Sequence, residues 1–278
     1  MTRRLGAGVA GAAVLIGAIS ILARATGFAK QLVFARAVGT NCLSTAYVTA
    51  NNVPNIVFEI VVGGALAGMV VPVLAGAAGR GNPTPGAGAD EGAREEVGWI
   101  SSALLTWAVV LLVPFALLTA LLAGPLVGLV ASTVPGCDAG QVAEMATRML
   151  VVFAPQIPLY GVAVVLYGVL QAHRRFSAPA VAPLVSSVVV IVAYLLFVPL
   201  GGVGADLAEL PRPAELALSV GTSLGVLALV VTVIGPVSRL GLRLRPTLRF
   251  LPVSPRGCAG SPWPGSARWW RSRRRRRS

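Results

Sequence analysis

Several stretches of this chain stay apolar for about 20 residues, and this limits the folds open to it. A hydrophobic run of 18 or more residues with few charges is typical of a transmembrane helix, because about 20 helical residues cross the ~30 Å hydrocarbon core of a bilayer. Hydrophobic residues make up 55% of the chain and charged residues only 12%, about half the charge of a soluble domain. The sequence therefore predicts an all-α integral membrane protein.

Three cations interrupt the first apolar stretch: Arg24, Lys30 and Arg36. A cation in hydrocarbon costs about 3 kcal/mol on insertion scales, so such residues usually face a bundle interior or a wet cavity. On a straight helix the three side chains would point about 120° apart. One site uses all of them only if the helix bends or some side chains reach to the surface. We predict a site for an anionic ligand, with Arg24 and Lys30 inside and Arg36 near the far surface.

The first helix is predicted at residues 8–38. This is longer than the bilayer core, so the helix must tilt, protrude or break, and Gly27 is the expected break. An alternative interpretation of the first 25 residues is a signal peptide, with Arg3 and Arg4 before an apolar run and a small-x-small site at residues 23–25.

The second helix is predicted at residues 44–74, and its first half is polar. Its polar side chains are Asn51, Asn52, Asn55 and Glu59. Pro54 removes a backbone donor and is a predicted kink. A buried carboxylate at Glu59 would need a partner or a proton, and Lys30 or Arg24 could supply the partner. These residues are candidates for substrate binding; the alternative is that the asparagines only pack this helix against its neighbours.

Six transmembrane helices form the predicted bundle, which occupies a domain at residues 1–250. The remaining spans are residues 99–122, 144–170, 181–200 and 215–237. Pro155 and Pro158 lie in the fourth span and, with Gly27 and Pro54, are candidate hinges.

Loop charges predict the orientation, because cytoplasmic loops are enriched in Lys and Arg. One side of the predicted bundle carries ten arginines, and in the other side's loops only Arg212 is clearly placed. The ten are Arg3, Arg4, Arg80, Arg94, Arg174, Arg175, Arg239, Arg243, Arg245 and Arg249. We therefore expect a multi-pass protein of the bacterial cytoplasmic membrane with both termini in the cytoplasm.

Metal, thiol and enzyme chemistry find no support in the sequence. Cys42, Cys137 and Cys258 have no metal-ligand or redox spacing, and His173 is the one histidine. The chain also has no nucleophile elbow, paired carboxylates or phosphate loop. We expect no metal, no cofactor and no catalytic residue.

The last 28 residues, 251–278, differ sharply in composition and are predicted to be a disordered basic tail. They hold eight of the chain's 23 Lys and Arg and no acid, so they account for most of the net charge of +13. The favoured interpretation is an out-of-frame or truncated end. The alternatives are a polybasic anchor for anionic membrane lipids and a nucleic-acid-binding tail; we expect no nucleic-acid partner.

Five short motifs in order resemble the start of the MurJ/MviN lipid II flippases, within the multidrug/oligosaccharidyl-lipid/polysaccharide exporter superfamily. They are R-x-x-G-F-x-K (residues 24–30), A-R-x-x-G (35–39), V-P-N (53–55), G-A-L (64–66) and V-P-V-L (71–74). Residues 173–185 resemble the family's loop between helices four and five. The resemblance covers about residues 10–250.

The resemblance implies one lobe of a fourteen-helix flippase, whose two lobes enclose a cationic cavity for the diphosphate of an undecaprenyl-linked peptidoglycan precursor. Arg24 and Lys30 match two cavity cations. One lobe alone would need a second lobe from another chain, or a homodimer, to close the cavity. The predicted function is translocation of lipid II, in a truncated or half-length form.

The second helix departs from the family pattern. Phe58 and Glu59 stand where a basic pair is usual, and Lys30 stands where arginine is usual. A paralogue that carries another polyprenyl-linked or anionic lipid therefore stays open, as does a non-transporting membrane scaffold or accessory protein. An exporter of cationic drugs is disfavoured, because its cargo would need buried acids.

Overall fold

The computed structural model describes residues 2–60, 91–130, 135–173, 175–204, 207 and 209–240. The chain separates into the units Met1–Thr247 and Leu248–Ser278, and the described residues all belong to the first. The helices of the described part are α1 (Thr2–Ala37), α2 (Cys42–Ile60), α3 (Glu91–Leu121), α4 (Ala123–Val130), α5 (Ala139–Phe153), α6 (Gln156–Ala172), α7 (Ser177–Phe197) and α8 (Arg212–Ser238). A wide helical turn, Val198–Gly202, extends α7.

The predicted all-α membrane class is confirmed. Four helices of the described part are long and apolar enough to cross a membrane, or five if the bent pair α5 and α6 counts as one span. The count of six spans stays a prediction. Residues 61–74, which complete the predicted second span, and the tail after residue 250 lie outside the described residues.

Local capping explains where α2 and α5 begin. Gly39 has a φ of 85°, a left-handed conformation that glycine adopts without steric cost, and the chain turns there after α1. Asn41 and Ser44 then cap α2 reciprocally: the Ser44 amide donates to Asn41 Oδ1 and the Asn41 amide donates to Ser44 Oγ, both at 3.0 Å. Asp138 caps α5 by accepting from the Gln141 amide at 2.9 Å.

Two predicted breaks turn out differently. α1 continues through Gly27 without interruption, which corrects the expected break. A single interior glycine costs a helix only about 1 kcal/mol, and the helix formers around it are sufficient to keep the backbone hydrogen bonds. The fourth span, by contrast, consists of two helices, α5 and α6, bent by 42° at Ala154 and Pro155.

α8 is the centre of the packing. It packs most extensively against α7 and also contacts α5 and α6, while α1 packs mainly on α7, α2 on α5 and α3 on α6. Gly221 and Gly225 face α7 so closely that an added Cβ would overlap Ala193 or Val190. Small residues at this spacing let two membrane helices approach closely.

Within the described ranges the buried side chains form two clusters, one near each end of the bundle. The first surrounds Tyr47, Phe153 and Phe197, and Cys42, Cys137 and Leu210 pack against it. The second joins α6, the start of α7 and the end of α8. We call the first cluster's end the disulfide end, because Cys42 and Cys137 are bonded there; it carries residues 38–41, 135–138, 203–204, 207 and 209–211.

Candidate functional site

The three cations of α1 lie on different sides of the helix. Lys30 is half-buried and shares its side with Phe34 and Ala37, at the i, i+4, i+7 spacing of one helix face; both of these are buried. Arg24 and Arg36 are exposed. The structure therefore does not bring Arg24 and Lys30 to one face. This agrees with helix geometry, because residues six apart on a straight helix point about 120° away from each other.

None of these cations is neutralised within the described part of the chain. The ion pairs formed there join Arg148 to Glu144 and Glu215, and no side-chain hydrogen bond involves Arg24, Lys30 or Arg36 within the described ranges. The three side chains are thus available to a ligand.

The polar residues of α2 have separate environments. Asn55 Oδ1 accepts a hydrogen bond from the Tyr160 hydroxyl at 3.3 Å. Asn51 is half-buried and its Oδ1 has no partner among the described residues, whereas Asn52 is exposed.

Glu59 does not form the predicted ion pair with Lys30 or Arg24. It is exposed near the end of the described part of α2, and it belongs to none of the ion pairs in the residues that the structure describes. The physical reason is the packing: α2 lies mainly against α5, while α1 lies mainly against α7. An exposed carboxylate on α2 is therefore not forced towards the cations of α1.

An open cavity of about 360 Å³ lies where α1 ends and α2 begins. Its lining includes Phe34, Thr45, Thr49, Asn52 and Val130. Of the residues predicted to bind substrate, only Asn52 lines this cavity. The sequence did not single out this place, because the cavity depends on how the α1–α2 turn meets the end of α4.

A buried hydroxyl chain joins α2, α7 and α8 beside this cavity. The Tyr47 hydroxyl lies 2.8 Å from both the Tyr194 hydroxyl and Thr222 Oγ1, and Thr222 Oγ1 donates to the Leu218 carbonyl at 2.7 Å. The single hydroxyl proton of Thr222 goes to the Leu218 carbonyl, so the Tyr47 hydroxyl must donate to Thr222 Oγ1. The Tyr47 hydroxyl therefore accepts its other hydrogen bond from the Tyr194 hydroxyl. The Phe34 ring packs at a tilt against both tyrosine rings, with centroids 5.0 and 5.1 Å apart, so the two tyrosines also contact the end of α1.

Two further polar contacts link α8 to the broken span. Arg148 Nε lies 3.6 Å from Glu215 Oε1, and Gln156 Nε2 donates to Ser223 Oγ at 3.0 Å. Sequence reasoning missed both, although polar residues within apolar spans were the signal that could have found them.

The candidate hinges differ in their surroundings. Pro155 lies in the break between α5 and α6, and Pro158 lies in the first turn of α6, where a proline is tolerated. Pro54 is buried inside α2, which continues past it, as α1 continues past Gly27. A bend is therefore seen at Pro155.

The disulfide between Cys42 and Cys137 corrects the expectation that thiol chemistry plays no part. The bond joins the start of α2 to the loop before α5 across 95 residues. Spacing along the sequence could not reveal it, since only the fold brings these two loops together. Within the described residues, no group of three or more His, Cys, Asp or Glu could hold a metal ion.

Comparison with known proteins identifies the family. The family model "Lipid II flippase MurJ" matches residues 34–254, so Arg24 and Lys30 precede the matched range. A curated lipid II flippase MurJ from Burkholderia cenocepacia is 28% identical over 189 residues, which are 68% of this chain and 34% of that protein. The chain thus spans about a third of the length of this relative.

A solved structure shares the fold. It is titled "Lipid II flippase MurJ, inward closed conformation" and matches with a TM-score of 0.61 and 15% identity, over 84% of this chain and 44% of that one. The family match covers well over half of the residues, and the helical architecture agrees with it. The chain belongs to the MurJ lipid II flippase family.

Proposed function

We propose that this chain forms the first lobe of a lipid II flippase and that Arg24 and Lys30 bind the diphosphate of the lipid-linked precursor. The observation that carries the proposal is a pair of cations in an apolar span, neither of which meets an acid in the described residues. Membership in a family described as lipid II flippases supports the same substrate.

The chemistry of the two cations suits a diphosphate. Guanidinium and ammonium groups form short, charge-assisted hydrogen bonds to phosphate oxygens, and these strengthen where water is excluded. Arg24 and Lys30 are separated by about 9 Å along the helix axis, which is within reach of two linked phosphates for long side chains. Lys30 must swing away from the side of α1 that packs on α7, and its flexible stem permits this.

The remaining candidate residues would surround the headgroup. Asn52 lines the open cavity. Arg36 lies in the last turn of α1, at the end of that helix where the cavity is. Asn51, Asn55 and Glu59 would contribute polar contacts along α2. A second lobe, or a second copy of this chain, would provide the opposite wall of the substrate path, and anionic membrane lipids would contact the basic loops.

We further propose that the disulfide end faces away from the cytoplasm. Disulfides form and persist in oxidising compartments outside the bacterial cytoplasm. The basic residues Arg175 and Arg239 lie in the connections at the opposite end, and cytoplasmic loops are the ones enriched in Arg and Lys. α1 ends and α8 begins at the disulfide end, so the start of α1 and the end of α8 lie at the opposite, basic end. The disulfide and the distribution of basic residues therefore both support cytoplasmic termini.

A binding experiment tests the proposed site. The full chain in lipid nanodiscs should bind an undecaprenyl-diphosphate-linked lipid, and Arg24→Ala and Lys30→Ala should each weaken binding at least tenfold. Lys30→Arg should keep most of the affinity, because the charge is retained, and Arg239→Ala at the end of α8 is the matched control. Unchanged binding in both alanine variants would refute the site.

The same variants separate transport from a scaffold role in cells. In cells depleted of their own flippase, the wild-type chain should support growth when the second lobe is supplied, and Arg24→Ala should not. Equal growth support by wild type and variant, without lipid binding, would favour the scaffold or accessory role.

A further inference from the structure

Gln156 is a fully buried polar side chain whose amide is only half satisfied. Its Nε2 donates to Ser223 Oγ, and Ser223 Oγ in turn donates to the Val152 carbonyl at 3.1 Å. The single hydroxyl proton of Ser223 is therefore used, so the Gln156 amide must direct its N–H group to Ser223. The remaining atom, Oε1, is buried and has no donor among the described residues.

Asn51 presents a second such oxygen at the same level of the bundle. Tyr47 contacts Phe153 edge to face, with ring centroids 5.7 Å apart, and Asn55 is bonded to Tyr160. Asn51 lies one turn after Tyr47 and one turn before Asn55, and Gln156 lies between Phe153 and Tyr160. The two pairs of contacts thus bring Asn51 and Gln156 to the same level of the bundle, and Asn51 Oδ1 is also buried without a donor in the part of the chain described.

The break between α5 and α6 adds backbone oxygens to this place. Pro155 and Pro158 have no N–H, so the carbonyls of Val151 and Ala154 lack their α-helical donors. The Ala154 carbonyl accepts instead from the Ile157 amide at 3.1 Å. The C-terminal end of α5 also carries about half a negative charge from the helix dipole.

A surplus of acceptors calls for a donor or a cation, because an unsatisfied buried oxygen costs about 1–3 kcal/mol. Arg148 does not fill this role: it lies one turn before Val152 and pairs with Glu215. The cluster contains neutral oxygens and no carboxylate, whereas calcium sites rely on carboxylates. Unwound backbone and half-helix C-terminal ends in membrane helices are known to coordinate Na⁺.

We propose that Asn51 Oδ1, Gln156 Oε1 and the backbone carbonyls at the α5–α6 break bind one monovalent cation. The ion joins α2 to the bent span and neutralises the end of α5. The site uses none of the α1 cations, and the ion binds without the lipid substrate; Asn51 then serves the ion and not the lipid headgroup.

Radioactive sodium binding to the purified full chain in detergent tests the proposal, with choline chloride at equal ionic strength as the blank. The wild type should bind ²²Na⁺, with unlabelled NaCl as competitor. Gln156→Leu and Asn51→Leu should each weaken binding at least tenfold. Gln141→Leu, which changes an exposed amide side chain at the start of α5, should bind as the wild type does.

A second variant covers the case in which a leucine variant does not fold. Gln156→Glu keeps the shape and adds a negative charge, so it should bind ²²Na⁺ more tightly than the wild type, with a larger Na⁺-dependent rise in melting temperature. Absence of ²²Na⁺ binding by the wild type would overturn the proposal, and so would equal binding by the wild type, Gln156→Leu and Gln156→Glu. Because the assay contains no lipid precursor, its failure would leave the flippase proposal standing.

Discussion

α1 and α8 are both long apolar helices that carry polar residues, yet they use them differently. In the most apolar stretch of α1 only 6% of the residues are buried inside the protein, against 50% in α8. Glu215, Thr222 and Ser223 of α8 each contact a partner on another helix. Arg24, Lys30 and Arg36 of α1 contact none in the described residues.

This difference between α8 and α1 distinguishes polar residues that stabilise the fold from polar residues proposed to bind a ligand. A polar group in an apolar span is costly unless it is satisfied, and α8 satisfies its groups with other helices. α1 leaves three positive charges without a partner among the described residues, and under the proposed function these charges serve the lipid headgroup. On this basis, substitutions around α8 should lower stability, and substitutions of the α1 cations should lower binding instead.

The largest loss of stability is expected from removing the disulfide that closes the disulfide end. The double variant Cys42→Ser and Cys137→Ser should lower the free energy of unfolding by about 2–4 kcal/mol, because the bond closes a long loop. Chemical unfolding in detergent, with and without a reducing agent, measures this. Cys258→Ser is the control and should behave as the wild type; equal stability of the double variant would show that packing alone holds α2 to α5.

A smaller loss is expected where α8 meets α7. Gly221→Ala should destabilise by about 1–3 kcal/mol, because its Cβ would overlap Ala193 and the helices must separate. Gly235→Ala on the same helix is the matched control, since nothing lies within 4 Å of an added Cβ there. The melting temperature of Gly221→Ala should lie below the wild-type value, and that of Gly235→Ala should equal or exceed it. A neutral Gly221→Ala would contradict the close contact.

The hydroxyl chain should contribute less again. Tyr47→Phe removes the hydrogen bonds to Tyr194 and Thr222 and should cost about 1–2 kcal/mol, near the upper range for hydrogen bonds between membrane helices. Tyr167→Phe is the control, because its buried hydroxyl has no partner among the described residues; this change should be neutral or stabilising. Unfolding curves of the two variants side by side would sharpen the contrast, and identical curves would count against the chain.

The smallest effect on stability is expected at Arg24. Arg24→Ala should change the free energy of unfolding by no more than about 0.5 kcal/mol, as for other exposed substitutions, while lipid binding falls. Glu215→Ala on α8 is the comparison and should cost up to about 1 kcal/mol, because the partly exposed pair with Arg148 is screened by solvent. A strongly destabilised Arg24→Ala would mean that this cation is structural, and the contrast between α1 and α8 would fail.

Part of the candidate site was predictable because it depends on local composition. The three cations stand out against an apolar background, and Pro155 marks a bend because it lacks an N–H. Glu59 is exposed and not buried, so it needs neither a partner nor a proton, and the break expected at Gly27 is not seen; neither outcome depends on the residue type alone. The packing of α2 on α5 decides the surroundings of Glu59, and the helix formers on either side of Gly27 decide that α1 continues.

The sequence by itself determined the helical membrane class and the positions of its charges, because helix length and hydrophobicity are properties of consecutive residues. The structure decided which of the polar residues are paired. Tyr47 and Thr222 are 175 residues apart, Cys42 and Cys137 are 95 apart, and Gln156 and Ser223 are 67 apart. Contacts at such separations depend on helix packing, and no spacing rule along the chain encodes them.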